Sequence, residues 1–153
     1  MSAASDYLEL KLLDHTLRYS SAAYTAPSTV YVALFADSGS GVAAALESNT
    51  SGTDATSKFG YYEINTGSYA RQSITFAAAA SGTSASNATV SFPVATANYQ
   101  TAGSTGNVVT HLALMDASTS GNVLFYGALT TSKTVSSGDQ FTISSGNLSI
   151  SLA

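Results

Sequence analysis

The sequence predicts a mainly β protein, an antiparallel β-sandwich of jelly-roll type with about eight strands, preceded by one α-helix. Three observations carry this reading: short apolar runs with a period of two, turn residues recurring between them, and one leucine-rich segment of helical period at the start. Cysteine is absent from the 153 residues, so the core must hold without disulfides or thiolate-bound metals. A chain of this length suits one domain spanning residues 1–153, able to bury a core on its own.

Residues 6–18 read as the helix, with Ser5 as N-cap, Asp6 and Glu9 in the first turn and Arg18 at the end. At 100° per residue, Leu10, Leu13 and Leu17 form one stripe, and Leu8 and Leu12 form a second one roughly 140–160° away. The larger stripe is expected to face the core. Leu8 and Leu12 then become a candidate partner surface, since a helix apolar on two sides is covered on both.

After Pro27 the period becomes two. Residues 29–36 place Val30, Val32 and Leu34 on one face and Tyr31, Ala33 and Phe35 on the other, which predicts a central strand covered on both sides. Residues 37–60 form a long Gly/Ser/Thr-rich segment with an apolar island at 42–46, expected to be a contact loop rather than a helix. Further strands are expected at 61–64, 70–77, 89–94, 108–115, 122–128, 140–144 and 148–152, punctuated by turn-forming Asn, Gly, Ser and Asp. Parallel architecture would need helices between strands, and none is legible. The predicted core comprises Val30, Val32, Leu34, Ile74, Phe76, Phe92, Leu112, Leu114, Leu124 and Ile143.

Charged residues make up 9% of the chain against roughly 25% in typical soluble domains. The formal net charge is −4 and the five basic residues are scattered, so no nucleic-acid partner is expected. No apolar run approaches the roughly 20 residues of a membrane-spanning helix. Acidic residues interrupt the place where a secretory signal would lie, which leads to an expectation of synthesis in the cytoplasm.

Catalytic and metal chemistry find little support. Asp116 is the acid nearest His111 in sequence, but five residues along a strand is about 17 Å and the odd spacing puts the two on opposite faces. His15 and Asp14 point about 100° apart on the helix. The Gly-containing segment 38–41 lacks the lysine of a phosphate loop. Asp37, Asp54 and Asp139 each sit beside Gly, Ser or Thr, Asp116 lies two residues before Ser118, and all four read as turn caps rather than calcium ligands. No cofactor, metal or catalytic residue is expected, and the protein is read as a non-enzyme. With nine tyrosines and no tryptophan, Tyr61, Tyr62, Tyr69 and Tyr99 stand at strand ends or in loops, where amphipathic rings suit a protein or sugar interface.

The opening Tyr7-Leu8-Glu9-x-Lys11-Leu12-Leu13-Asp14-His15-x-Leu17-Arg18, followed by Thr25-Ala26-Pro27-x-Thr29-Val30-Tyr31-Val32-Ala33-Leu34, resembles small virion structural proteins of tailed bacteriophages. That group spans tail-fibre-like, minor structural and head decoration proteins. Later blocks share the resemblance: Tyr69-Ala70-Arg71-Gln72, Val90-x-Phe92-Pro93, Val109-Thr110-His111, Gly121-Asn122-x-Leu124-x-Tyr126-Gly127-Ala128-Leu129 and Lys133-Thr134-Val135. The sequence departs from the group in the long 37–60 segment and at Tyr99, where a tryptophan is expected. The resemblance implies a place in the virion and supplies no catalytic residues.

No fibre shaft of heptads or repeats is visible, so the first expectation is a capsid decoration (cement) protein on the outer capsid surface. It would be a homo-oligomer, by analogy a trimer, bound to the major capsid protein. The alternative is a tail or tail-fibre-associated structural or adhesion protein, for which a host-surface glycan is a possible partner. A carbohydrate-binding module ranks third.

Overall fold

The computed structural model describes residues 3–18, 24–37, 41–51, 54, 59–102 and 108–152. Among them the fold is mainly β, with antiparallel sheets, nine strands and an N-terminal helix. β1 (Ala3–Ala4) leads into α1 (Asp6–Leu17), and β2 (Val30–Phe35) precedes a second, short helix, α2 (Val42–Glu47). A 3₁₀ turn (Phe59–Tyr61) follows, then β3 (Gln72–Ile74), β4 (Thr83–Ala85), β5 (Val90–Ser91), β6 (Val108–Met115), β7 (Val123–Thr134), β8 (Thr142–Ile143) and β9 (Ser149–Ser151).

Five strands form the central sheet in the order β1-β7-β6-β2-β3, and the pairs β4-β9 and β5-β8 form two short ribbons. Val32, Leu34, Ile74, Leu112 and Leu114 from one face of the sheet pack with Val90, Ile143 and Ile150 from the ribbons in one core cluster. This is a sandwich whose second layer is split in two. On the opposite face, Ala33, Phe35, Ala113 and Met115 pack with Val42, Leu46 and Phe59, so α2 and the 3₁₀ turn cover the sheet from behind.

The predicted central strand is realised: Val32, Ala33, Leu34 and Phe35 are all fully buried, two on each face. Eight of the ten predicted core residues are buried, while Val30 and Phe76 lie partly buried at the cluster's edge. β6 has the expected limits, but its alternation is broken. Register shifts lie between Val109 and His111 and between Leu114 and Met115. Val109 consequently joins the cluster of Leu112 and Leu114, not the face of Ala113 and Met115 where strict alternation puts it.

β1, β4 and the end of β7 beyond residue 128 are strands where none is expected, and two expected segments take another form. The apolar island at 42–46 is helical, because Val42 and Leu46 stand one turn apart with alanines between them, and both are completely buried. The expected strand at 61–64 is instead the end of the 3₁₀ turn, followed by single bridges from Glu63 to Phe35 and from Ile64 to Thr101. The phosphate-loop segment at 38–40 and parts of the 37–60 segment lie outside the described residues.

Candidate interaction surfaces

Ser5 caps α1 as the sequence indicates, accepting a hydrogen bond from the Leu8 backbone N–H at 3.4 Å. The same hydroxyl donates to the Val123 carbonyl, and the Ser5 N–H donates to Leu124 O at 3.1 Å. Two residues further, Tyr7 N–H donates to the Asn49 carbonyl at 2.8 Å, and Asn49 Oδ1 accepts from Val123 N–H at 2.8 Å. These bonds clamp the first turn to β7 and to the loop after α2, and thereby set the rotation of the helix.

That rotation corrects the expected facing. Leu8 is 3% exposed and belongs to the core, with Leu12 packed partly against it. Leu10, Leu13 and Leu17 are 56%, 55% and 76% exposed. The free apolar row is therefore the stripe expected to be core, and Leu8 is unavailable as a partner-interface residue.

The four tyrosines separate into two pairs. Tyr69 stacks on Phe92 (centroids 5.9 Å apart) and meets Tyr99 edge-on at 5.8 Å. Tyr99 is completely buried, with its hydroxyl donating to Pro93 O at 3.1 Å, so it is a core residue and the expected surface role is corrected. Tyr61 and Tyr62 meet edge-on at 5.5 Å near the 3₁₀ turn; Tyr61 is exposed, whereas Tyr62 packs against the α2-side core. Of the candidate rings, Tyr61 offers the most surface.

A buried polar network surrounds Tyr69. Arg71 clamps Glu63 with Nε to Oε1 and Nη2 to Oε2, both 2.7 Å, and its Nη1 donates to the carbonyls of Ala117 (2.9 Å) and Ser120 (2.6 Å). Tyr69 Oη donates to Glu63 Oε1 and accepts from Leu34 N–H, both at 3.0 Å. Burial, reinforced by the Glu63 carboxylate, pushes the Tyr69 hydroxyl pKa well above its ordinary value. The network ties the β6–β7 turn to the β2 region, and a bidentate guanidinium is suited to hold it. Sequence reading missed it, because Glu63 and Arg71 share no element.

The four loop aspartates act as turn caps. Asp37 accepts from Gly41 N–H, Asp54 from Thr50 and Ser51 N–H, Asp116 from Asn122 N–H, and Asp139 from Ser136 N–H. His111 Nδ1 lies 2.9 Å from Thr110 Oγ1, and burial lowers its pKa, opposed by Asp37. Among the described residues, no group of three or more His, Asp or Glu side chains is placed to hold a metal. Within the same residues, no helix is long and apolar enough to cross a membrane.

Two grooves open on the sandwich. One, of about 260 Å³, is almost wholly apolar and lies between the sheet residues Val30, Leu114 and Phe125 and the ribbon residue Ile150 with Leu152 just after it. The other, about 630 Å³, runs between the far half of β7 and the segment leading through β8. Leu112, Leu129, Phe141 and Leu148 line it together with threonines, Lys133, Asp139, Gln140 and Asn147.

The sequence matches the family described as Podophage GP4 fiber I protein gp80 over residues 3–151. The chain belongs to this family. The match spans the sheet, both ribbons and α1, and makes the chain a phage virion structural protein, with a place in the virion. No curated protein matches the chain.

Proposed function

We propose that this protein is a fibre-type component of the phage tail, a structural and adhesion part rather than a capsid cement protein. The observation that carries this reading is the family match over residues 3–151, whose description is that of a fibre protein. It favours the alternative over the capsid reading, which rested on the absence of a visible shaft. The helix supports it physically. A row of three leucines exposed on an otherwise anchored helix suits attachment to another virion protein or to a second copy of the chain. In this reading the protein is not an enzyme: its loop carboxylates are engaged with backbone amides.

Quantitative mass spectrometry of purified particles, combined with antibody labelling in electron micrographs, tests the assignment. A fibre part is expected in tens of copies or fewer, with label at the tail. Hundreds of copies with label over the head would replace this reading with capsid decoration.

A further inference from the structure

We infer that the groove between the far half of β7 and the β8 segment is a saccharide-binding site for a neutral, hydroxyl-rich glycan. The groove has a volume of about 630 Å³, within the range of roughly 300–1,000 Å³ typical of small-ligand sites. Its floor is apolar, made by Leu112, Leu129, Phe141 and Leu148. Its rim carries Thr130, Thr131, Lys133, Thr134 and Asn147, all exposed. None of these five side chains makes a hydrogen bond or ion pair among the described residues. Elsewhere, the side chains of Ser5, Asp54, Asp116 and Asp139 are spent on turns and caps.

The backbone shapes the site. His111 pairs with Ala128 and Val109 pairs with Lys133, so residues 129–132 stand opposite Thr110 alone. This excursion swings the threonine-rich part of β7 out of the ladder and forms one wall of the groove. Bulges of this kind redirect side chains beside binding sites.

Ligand class follows from chemistry. Threonine hydroxyls and the Asn147 amide both donate and accept, matching sugar hydroxyls, while the apolar floor suits the C–H face of a pyranose ring. Lys133 is balanced by Asp139, so the groove has no charge preference for an anionic polymer. An extended peptide would need a straight strand edge to extend, which the excursion interrupts. The inference rests on the adhesion reading for its biological sense but not for its test, which uses the isolated full-length protein.

The test is binding of fluorescently labelled full-length protein to an array of neutral bacterial polysaccharides and oligosaccharides, followed by titration of the best binder. Thr131→Val, Lys133→Ala and Asn147→Ala change exposed side chains, and circular dichroism melts should match wild type. Each is expected to weaken binding at least threefold, and the triple variant at least tenfold. Ser73→Ala, exposed on β3 and away from the groove, should bind as wild type does. Absence of binding anywhere on the array overturns the inference, as does binding that the triple variant leaves unchanged. Hundreds of copies on the head would sink the fibre reading while leaving a saccharide result standing, so the two failures are distinguishable.

Discussion

The two helices make an instructive contrast. α1 has twelve residues, a hydroxyl N-cap and acidic residues in its first turn, yet it fully buries only Leu8 among its own side chains. α2 has six residues and no side-chain cap, yet Val42 and Leu46 are completely buried against Phe35, Phe59 and Met115. Local signals are strong in the first helix and nearly absent in the second, while tertiary burial runs the other way. Helix-forming signals and packing energy are separate quantities, and a short helix can exist chiefly because a sheet face needs a cover.

The largest expected effect tests the cover. Leu46→Asp places a carboxylate in a site with no exposure, and such a charge has no partner among the apolar residues of that cluster. Loss of the cooperative melting transition by circular dichroism is expected. Soluble protein with a wild-type melt would mean that α2 is dispensable to the sheet.

Within α1, the contrast between its faces can be sharpened. Leu8→Ala should cost roughly 2–5 kcal/mol, because it opens a cavity in the main core. Leu10→Ser, Leu13→Ser and Leu17→Ser should each stay within about 0.5 kcal/mol, as exposed substitutions generally do. Denaturant unfolding of the isolated protein measures both sets. Equal losses on the two faces would show that the exposed leucines are covered in solution.

The smallest effect lies at the end of the same helix. Arg18 Nη1 is 3.1 Å from Asp14 Oδ1, one turn apart, with side chains 66% and 35% exposed. Asp14→Asn should therefore cost only about 0.2–0.5 kcal/mol, and the difference should shrink as salt is raised. A larger, salt-independent loss would mean that Asp14 contributes to the fold beyond this pair.

Much of the interior was legible in the sequence. The doubly apolar run of β2 announced a central strand, and β6 was placed to the residue. The small strands were less legible: β1 and β4 have alanine- and serine-rich sequences with no apolar alternation, and they exist because a neighbouring strand offers free amides and carbonyls. The candidate surfaces were less legible still. Tyr99 gave no sign in sequence of being enclosed by Tyr69, and the free rim of the groove depends on a register excursion between two strands.

What the sequence determined alone is therefore local: the period of each long element, the Ser5 cap, the turn-capping aspartates and the low charge. All of these depend on residues within a few positions of one another. The tertiary structure decided which side of α1 faces inward, which polar groups are spent, and where the groove opens. The hydroxyl that pins the helix reaches a carbonyl 118 positions away, and Arg71 reaches the Ala117 and Ser120 carbonyls on a turn 46 and 49 positions on. Periodicity specifies that a helix has two apolar rows; only a bond to a distant strand selects the row that is buried.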